Sequence, residues 1–410
     1  MSKLFTPIRI GAFDLSHRVV LAPLTRMRAD VPGNVPNDLM ATYYGQRASA
    51  GGLMITEATF IAPTGNGGYA SPGICTDAQV AAWRQVVDAV HAKDARISLQ
   101  LWHVGRQSHV DLQPNGQAPI APSAIQAEVR ALLPGGPAIG SMPRAIELSE
   151  IPGLVDEYRK AAERAKATGF DGVEVHGANG YLIDQFLQDN SNRRSDPYGG
   201  SVENRTCFLF EVVAAVTSVW GSDRVGVCIG PSNRFGGMGD SAPDVTFPYV
   251  ARALGRFGLA YLHVIEPRVT GNVSDDAQQP VAAGQLRPLF GGPVIAAGGF
   301  DGAGPRRSSR RAMRTSWRLA AIFSRTRIFR EGCGMGTRLI LTTALHSAMA
   351  GRRGTPIIPP MKRRGTTEIQ DKHRDDPGPI PSGRNDIGFV ANGTLRVSCG
   401  SNTDHQETSQ

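Results

Sequence analysis

The 410-residue sequence predicts an α/β protein, and a (β/α)8 barrel is the architecture that fits it best. Short, nearly continuous apolar runs recur along the chain with amphipathic helical stretches between them, which is typical of a parallel sheet covered by helices. An open sheet that binds a dinucleotide would carry a GxGxxG motif after its first strand, and none follows the first run here. The barrel is therefore favoured over an open doubly wound sheet.

Seven strands are predicted, with room for an eighth. They cover residues 19–21, 53–56, 97–101, 172–175, 225–229, 261–265 and 293–297. A small hairpin that begins at residues 8–11 is expected to close the bottom of the barrel. The segment 104–148 is too long for a simple strand-to-helix loop. In a barrel, such a long segment is expected to cover the C-terminal mouth.

Three of the predicted helices have clear boundaries. Residues 77–92 follow Thr76, a good N-cap residue, and residues 151–168 stop at Gly169. Residues 203–220 form the third helix. Alternation of such helices with apolar strands predicts that each strand-and-helix unit packs around one central sheet.

The composition indicates a soluble enzyme with a substantial core, since 41% of the residues are hydrophobic and 20% are charged. The longest apolar run is shorter than the roughly 18 residues of a membrane helix, and the N-terminus has no signal-peptide pattern. The cysteines form no CxxC pair, which disfavours a zinc ribbon. We expect a cytoplasmic protein.

The net charge of +8 is unevenly distributed. Residues 1–304 contain 25 basic and 28 acidic side chains, a net charge of −3, whereas residues 305–410 contain 19 and 8, a net charge of +11. The basic character therefore belongs to the last quarter of the chain and gives no evidence about the partners of the rest.

The C-terminal ends of the predicted strands carry polar side chains, and in a barrel these ends surround the active site. No cluster there has the spacing of metal ligands, and no GxSxG motif or Cys/His pair indicates a nucleophilic hydrolase. The other polar residues at the strand ends are neutral hydrogen-bonding groups and one arginine. Such a set suits a flat, anion-bearing cofactor better than it suits hydrolysis.

Residues 1 to about 304 resemble the Old Yellow Enzyme family of FMN-dependent NAD(P)H alkene reductases, which includes N-ethylmaleimide reductases. The resemblance is specific because its motifs are long and occur in order. They are LAPLTR at 21–26, QRASAGG at 46–52, ITEA at 55–58, LQLWH at 99–103, GFDGVEVH at 169–176 with the following residues to Tyr181, DQFL at 184–187, SNRRSDPYGGS at 191–201 and ENR at 203–205.

The resemblance implies an FMN site. Gln100 and Arg224 would stabilise the negative charge that reduced flavin gathers along its N1–C2=O2 edge, and Thr25 would hydrogen-bond O4. The full set of implied cofactor-binding residues is Pro23, Leu24, Thr25, Ala58, Gln100, Arg224, Gly298 and Gly299.

The resemblance also implies the chemistry. His176 and Asn179 would hold the carbonyl or nitro oxygen of an activated alkene, hydride would pass from flavin N5 to the β-carbon, and Tyr181 would protonate the α-carbon. Trp102, Tyr69 and Arg130 would shape the pocket. The implied reductant is NADPH or NADH, and the implied substrates are enones, maleimides, nitro compounds or nitro-esters. Without the motif, a histidine at a strand end would more often be structural. Either a monomer or a homodimer is compatible with the sequence.

The resemblance ends near residue 304, and residues 305–410 contain no counterpart of the family's eighth strand or of its Gly-Arg pair that holds the FMN phosphate. A shifted reading frame joins the third base of each codon to the first two bases of the next codon. Between residues 312 and 330, this frame permits the translation H-A-D-x-x-A-x-G-R-x-x-x-A-N-P-D-x-P. The same shift permits G-Y-T-D-Y-P at 353–359. We therefore infer a frameshift near residue 305, after which the Arg-rich segment is out of frame and expected to be disordered.

Three functional interpretations follow. The first is an FMN-dependent alkene reductase, and the second is an inactive frameshifted remnant. The third is a nucleic-acid-binding protein, which is disfavoured because few aromatic residues accompany the 17 arginines of the segment. If the segment is as written, the barrel is expected to lack its eighth strand, to expose a sheet edge and to retain FMN weakly or not at all.

Overall fold

A computed structural model of the chain describes residues 3–267, 269–270, 273–274, 281–298, 319–323, 388–389 and 395–396. Within them the strands are β1 Ile8–Ile10, β2 Phe13–Leu15, β3 Val19–Leu21, β4 Leu53–Ile55, β5 Thr59–Phe60, β6 Arg96–Trp102, β7 Ile120–Ala121, β8 Arg130–Leu133, β9 Gly136–Ile139, β10 Arg144–Ala145, β11 Gly172–Gly177, β12 Val225–Ile229, β13 Tyr261–Ile265, β14 Val269–Thr270, β15 Val273–Ser274, β16 Val294–Ala297, β17 Leu319–Phe323, β18 Gly388–Phe389 and β19 Leu395–Arg396. The α-helices are α1 Asp38–Gly45, α2 Asp77–His91, α3 Ile151–Thr168, α4 Leu182–Leu187, α5 Val202–Trp220, α6 Pro243–Gly255 and α7 Ala283–Phe290.

Eight strands form a closed ring, which confirms the predicted barrel. The seven predicted strands are β3, β4, β6, β11, β12, β13 and β16, and they pair in parallel in that order. The eighth position is taken by β17, which pairs antiparallel with β16 on one side and with β3 on the other. The parallel eighth strand of the family is thus replaced, as predicted. The prediction of an exposed sheet edge is wrong, because β17 forms hydrogen bonds with both neighbouring strands.

The predicted helices form within one residue of the expected boundaries. Thr76 caps α2 through a hydrogen bond from the Gln79 N–H, and the Gln79 side chain completes a capping box. Helix α3 ends at Gly169, whose φ of 101° is available to glycine at little cost. Helix α5 begins at Val202, after the N-cap Ser201.

Two apolar layers stabilise the barrel. The larger one lies between the strands and the surrounding helices, and the smaller one lies inside the lower end of the barrel. Hairpin β1–β2 closes that lower end, where Ile10 and Phe13 are buried and the Ala12 N–H donates to the Asp223 carbonyl. This confirms the predicted hairpin and marks the bottom of the molecule.

The excursion between β6 and α3 lies partly over the opposite, C-terminal end. It contains the antiparallel hairpin β8–β9, and β8 contacts the loop after β5 through a bridge between Leu132 and Gly68. No helix among the described residues is long and apolar enough to cross a membrane.

Candidate functional site

A cavity of about 980 Å³ opens at the C-terminal ends of the barrel strands. Its volume is at the upper end of the range for small-molecule sites. The structure brings ten of the predicted site residues together in its lining. They are Pro23, Leu24, Thr25, Gln100, Trp102, Arg130, His176, Asn179, Tyr181 and Gly298.

The alternation of side chains along the strands explains why polar groups gather there. Successive residues of a strand point to opposite faces. On β11, Val173 and Val175 pack in the layer between strands and helices, so Glu174 and His176 point into the barrel. Strand β11 is therefore apolar on its outer face and polar on its inner face near the mouth.

Three rings form one wall of the cavity. The Tyr181 ring meets Trp102 and His176 edge to face, with centroids 5.1 Å and 5.0 Å away. His176 Nδ1 accepts a hydrogen bond from the Ala178 N–H at 3.3 Å, which assigns the imidazole proton to Nε2. Burial lowers the pKa of His176 to about 3, with a smaller contribution from His263, so the ring is a neutral donor near neutral pH.

Asn179 lies in a tight turn directly after β11. Asn179 and Gly180 have φ values of 57° and 74°, a left-handed conformation that Asn and Gly adopt more readily than other residues. The Gln107 amide donates to the carbonyl oxygens of both residues, at 2.9 Å and 2.7 Å. The turn holds the Asn179 side chain at the cavity, and its Oδ1 has no hydrogen-bond partner among the described residues.

Asp184 and Gln185 support the same turn from helix α4. The Gly180 N–H donates to Asp184 at 2.8 Å, and the Gln185 amide donates to the Gly180 carbonyl at 2.7 Å. Both side chains are fully buried. Sequence reasoning placed them in a motif but gave them no function, because the turn that they hold is visible only in three dimensions.

Asp184 is expected to make stability depend on pH. Burial raises its pKa from 3.8 to about 7, so the folded state keeps a proton that the unfolded state releases above its own pKa. Relative to an Asp184→Asn variant, the stability of the natural protein should fall by about 1.4 kcal/mol per pH unit between those two pKa values and level off above the higher one. Urea unfolding of both proteins at several pH values measures this difference, and parallel stability curves would contradict it.

Glu57 holds the loop after β3, although sequence reasoning assigned it no function. Its buried carboxylate accepts hydrogen bonds from the N–H groups of Arg26 at 2.9 Å and Met27 at 3.1 Å. The Tyr44 hydroxyl donates to the other carboxylate oxygen of Glu57 at 3.4 Å. Burial raises the pKa of Glu57. The carboxylate thereby fixes the segment that brings Thr25 to the cavity.

Gln100 lies at the base of the cavity, on the inner face of β6. Its amide nitrogen donates to Glu174 at 2.8 Å, and its backbone N–H donates to the Thr56 hydroxyl at 3.0 Å. The side chain is fixed from below and is 1% exposed. A fixed amide is well suited to hydrogen-bond a flat ligand in the cavity.

Two predicted residues lie next to the cavity and do not line it. Ala58 is buried in an apolar cluster with Phe60, Trp102 and Val104, behind the wall. Tyr69 is 41% exposed, and its N–H donates to the carbonyl of the cavity residue Leu132. Ala58 can therefore support the wall, whereas Tyr69 lies at its outer side.

Arg224 requires a correction, because the structure places it at the other end of the barrel. It precedes β12, and in a parallel barrel the starts of the strands lie at the bottom. Its guanidinium donates to the Asp171 carbonyl at 3.0 Å, next to the start of β11. Arg224 therefore cannot lie beside a flavin in the cavity, and the β12 residue that lines it is Cys228. Gly299 lies outside the described residues.

The residues present fit an isoalloxazine in most respects. Pro23 and Leu24 offer flat apolar contacts, and Thr25 and Gln100 offer hydrogen-bonding groups in the same cavity. The positive charge of Arg224, which was expected beside the flavin, is not in the cavity. The predicted phosphate-binding segment lies outside the described residues.

The chain is similar to known flavin oxidoreductases. The model of the NADH:flavin oxidoreductase / NADH oxidase family matches residues 3–310. A putative 12-oxophytodienoate reductase 11 of Oryza sativa subsp. japonica is 49% identical over 302 residues, which are 73% of this chain and 81% of the relative. The 12-oxophytodienoate reductase 2 of Arabidopsis thaliana is 45% identical over 72% of this chain and 79% of its own.

Solved structures of similar proteins also superpose on this chain. Morphinone reductase superposes with a TM-score of 0.68 at 49% identity, covering 73% of this chain and 81% of that one. It has also been solved in complex with tetrahydroNAD, with a TM-score of 0.67 at 49% identity over 73% of this chain and 82% of that one. An old yellow enzyme homologue from Zymomonas mobilis superposes with a TM-score of 0.69 at 42% identity, covering 73% and 83%. The chain thus belongs to the NADH:flavin oxidoreductase / NADH oxidase family, the Old Yellow Enzyme family, and is an oxidoreductase of that family, whose cofactor is FMN.

Proposed function

We propose that this chain reduces activated C=C bonds, with a nicotinamide dinucleotide as the source of electrons. FMN, when bound, supplies hydride transfer between the nicotinamide and the alkene. The relatives named 12-oxophytodienoate reductase and morphinone reductase support this reaction class. The proposed substrates are small conjugated enones, maleimides, nitro compounds or nitro-esters.

His176 and Asn179 are proposed to bind the substrate oxygen. The His176 ring presents its Nε2–H, because its Nδ1 already accepts from the backbone. Asn179 adds an amide three residues later, on a turn fixed by Gln107. Two neutral donors on a carbonyl or nitro oxygen withdraw electron density from the conjugated alkene. They also stabilise the negative charge that develops on that oxygen.

Tyr181 is proposed to deliver the proton to the α-carbon. A phenol hydroxyl carries a dissociable proton and so can act as a general acid. The contacts with Trp102 and His176 hold the ring in one orientation. The observation that carries the proposal is this grouping: a histidine donor, an asparagine amide and a phenol line one cavity at the mouth of a barrel.

Product analysis tests the reaction. The purified full-length chain, supplied with FMN and either NADPH or NADH under anaerobic conditions, should convert 2-cyclohexenone to cyclohexanone. One nicotinamide should be oxidised for each product molecule, and cyclohexanone itself should not be reduced. A flavin-loaded chain that oxidises the nicotinamide without forming any saturated product would contradict the proposal.

We also propose that residues after about 304 are out of frame. The family match ends at residue 310, and the strand in the eighth position runs antiparallel to its neighbours. This supports the alternative of an impaired remnant that holds FMN weakly. The nucleotide sequence tests it: a single-base insertion or deletion near codon 305 should restore the family's segment, and failure of every such change to do so would end the hypothesis. Purified protein that carries one flavin per chain would contradict the impaired remnant.

A further inference from the structure

Three buried side chains with metal-binding atoms meet at the floor of the cavity. Glu174, Cys228 and His263 come from β11, β12 and β13, which are adjacent parallel strands. One ligand atom from each lies within 4.8 Å of the other two, and the residues are 0%, 1% and 2% exposed. Carboxylate oxygen, thiolate sulfur and imidazole nitrogen are the ligands that Zn²⁺ takes in proteins.

His263 is oriented as metal-binding histidines usually are. Its Nδ1 donates to Glu174 Oε2 at 2.9 Å, which fixes the ring and assigns a proton to that nitrogen. The other nitrogen, Nε2, is buried and has no hydrogen-bond partner among the described residues. A carboxylate on one ring nitrogen commonly orients the other toward a metal ion. Leaving a buried polar atom without a hydrogen-bond partner destabilises the folded protein, so a ligand for Nε2 would be stabilising.

The charges also fit a divalent cation. Glu174 is fully buried, and its carboxylate accepts hydrogen bonds from Gln100 and His263. A carboxylate and a thiolate ligand together bring two negative charges to a site, and a divalent cation brings two positive charges. The cluster then has no net charge, which is favourable in a buried site.

We propose that this cluster, defined as Glu174, Cys228 and His263, binds a thiophilic divalent cation of the Zn²⁺ class. Cys228 Sγ and His263 Nε2 are the direct ligands, and Glu174 orients the imidazole and balances the charge. Both direct ligands line the cavity, so water or a small anion can complete the coordination from that side. The site lies at the floor of the same cavity, where Glu174 also accepts a hydrogen bond from the Gln100 amide.

Cobalt titration tests the site, because Co²⁺ in a thiolate-containing site absorbs at longer wavelengths than oxidised flavin. The full-length protein, freed of metal with a chelator, should bind one Co²⁺ that shows d–d bands and that Zn²⁺ displaces. Cys228→Ser and His263→Gln should lose these bands. Glu174→Gln should bind about 10- to 100-fold more weakly, as for other residues that orient a ligand. Cys75→Ser is the matched control and should keep the bands, since Cys75 lies outside the cluster.

Flavin content and circular dichroism of each variant separate loss of the site from loss of the fold. If a variant does not fold, labelling of the natural protein by iodoacetamide provides a second measurement. Zn²⁺ should slow modification of Cys228 at least tenfold and leave Cys75 unchanged, as quantified by peptide mass spectrometry. Cobalt bands that persist in Cys228→Ser, or Cys228 labelling that Zn²⁺ does not change, would overturn the proposal. Neither result bears on whether the chain reduces alkenes.

Discussion

Replacement of Tyr181 by phenylalanine is expected to lower the rate of alkene reduction by about 100- to 10,000-fold, the usual contribution of a general acid. Phenylalanine keeps the ring that packs between Trp102 and His176, so the cavity should keep its shape. The hydroxyl group is lost, and with it the dissociable proton. Reduction of bound flavin by the nicotinamide should change little, because that step needs no proton from Tyr181.

Rapid-mixing kinetics separate the two steps. Two rates are measured for both proteins. One is the loss of flavin absorbance on addition of NADPH, and the other is the recovery of that absorbance on addition of 2-cyclohexenone. Tyr249→Phe is the matched control, since Tyr249 lies on helix α6 and packs against the outer core. An unchanged rate of reoxidation by the enone in Tyr181→Phe would show that the proton comes from another source.

Replacement of His176 by alanine is expected to lower kcat/KM for enones by about 100- to 1,000-fold, as for the loss of one donor to a developing oxyanion. Its Nε2–H is the proposed donor to the substrate oxygen. The same change to Asn179 should act in the same direction, and the double variant should lose less than the product of the two effects, because both donors bind one atom.

His91→Gln is the matched control for His176→Ala. His91 lies at the end of helix α2, where it contacts Asp171 at 2.8 Å, far from the cavity mouth. Its replacement by an amide should leave kcat/KM unchanged. Equal losses in His91→Gln and His176→Ala would indicate a general effect on the fold and contradict the proposed donor.

Most of the barrel could be predicted from the sequence because its strands are apolar on the face that packs against helices. Strand β12 was predicted with its exact bounds, as was helix α3 with its terminal glycine. The eighth position could not be predicted. Pairing of β17 with two distant strands depends on long-range contacts that leave no periodic pattern in the local sequence.

The candidate site could be predicted where a residue lies at the C-terminal end of a strand. His176 and Gln100 are such residues. Arg224 failed this criterion, since it precedes its strand and therefore lies at the bottom of the barrel. Glu57 and Asp184 were missed because they act through backbone N–H groups of other segments, and sequence spacing does not reveal such contacts.

The most direct measurement of the proposed function is the anaerobic absorbance of the flavin bound to the full-length chain. Addition of NADPH or NADH should bleach the flavin bands, and a conjugated enone added afterwards should restore them in proportion to the saturated ketone formed. Bleached flavin that no activated alkene reoxidises, although dioxygen does, would contradict the assignment of this cavity to alkene reduction.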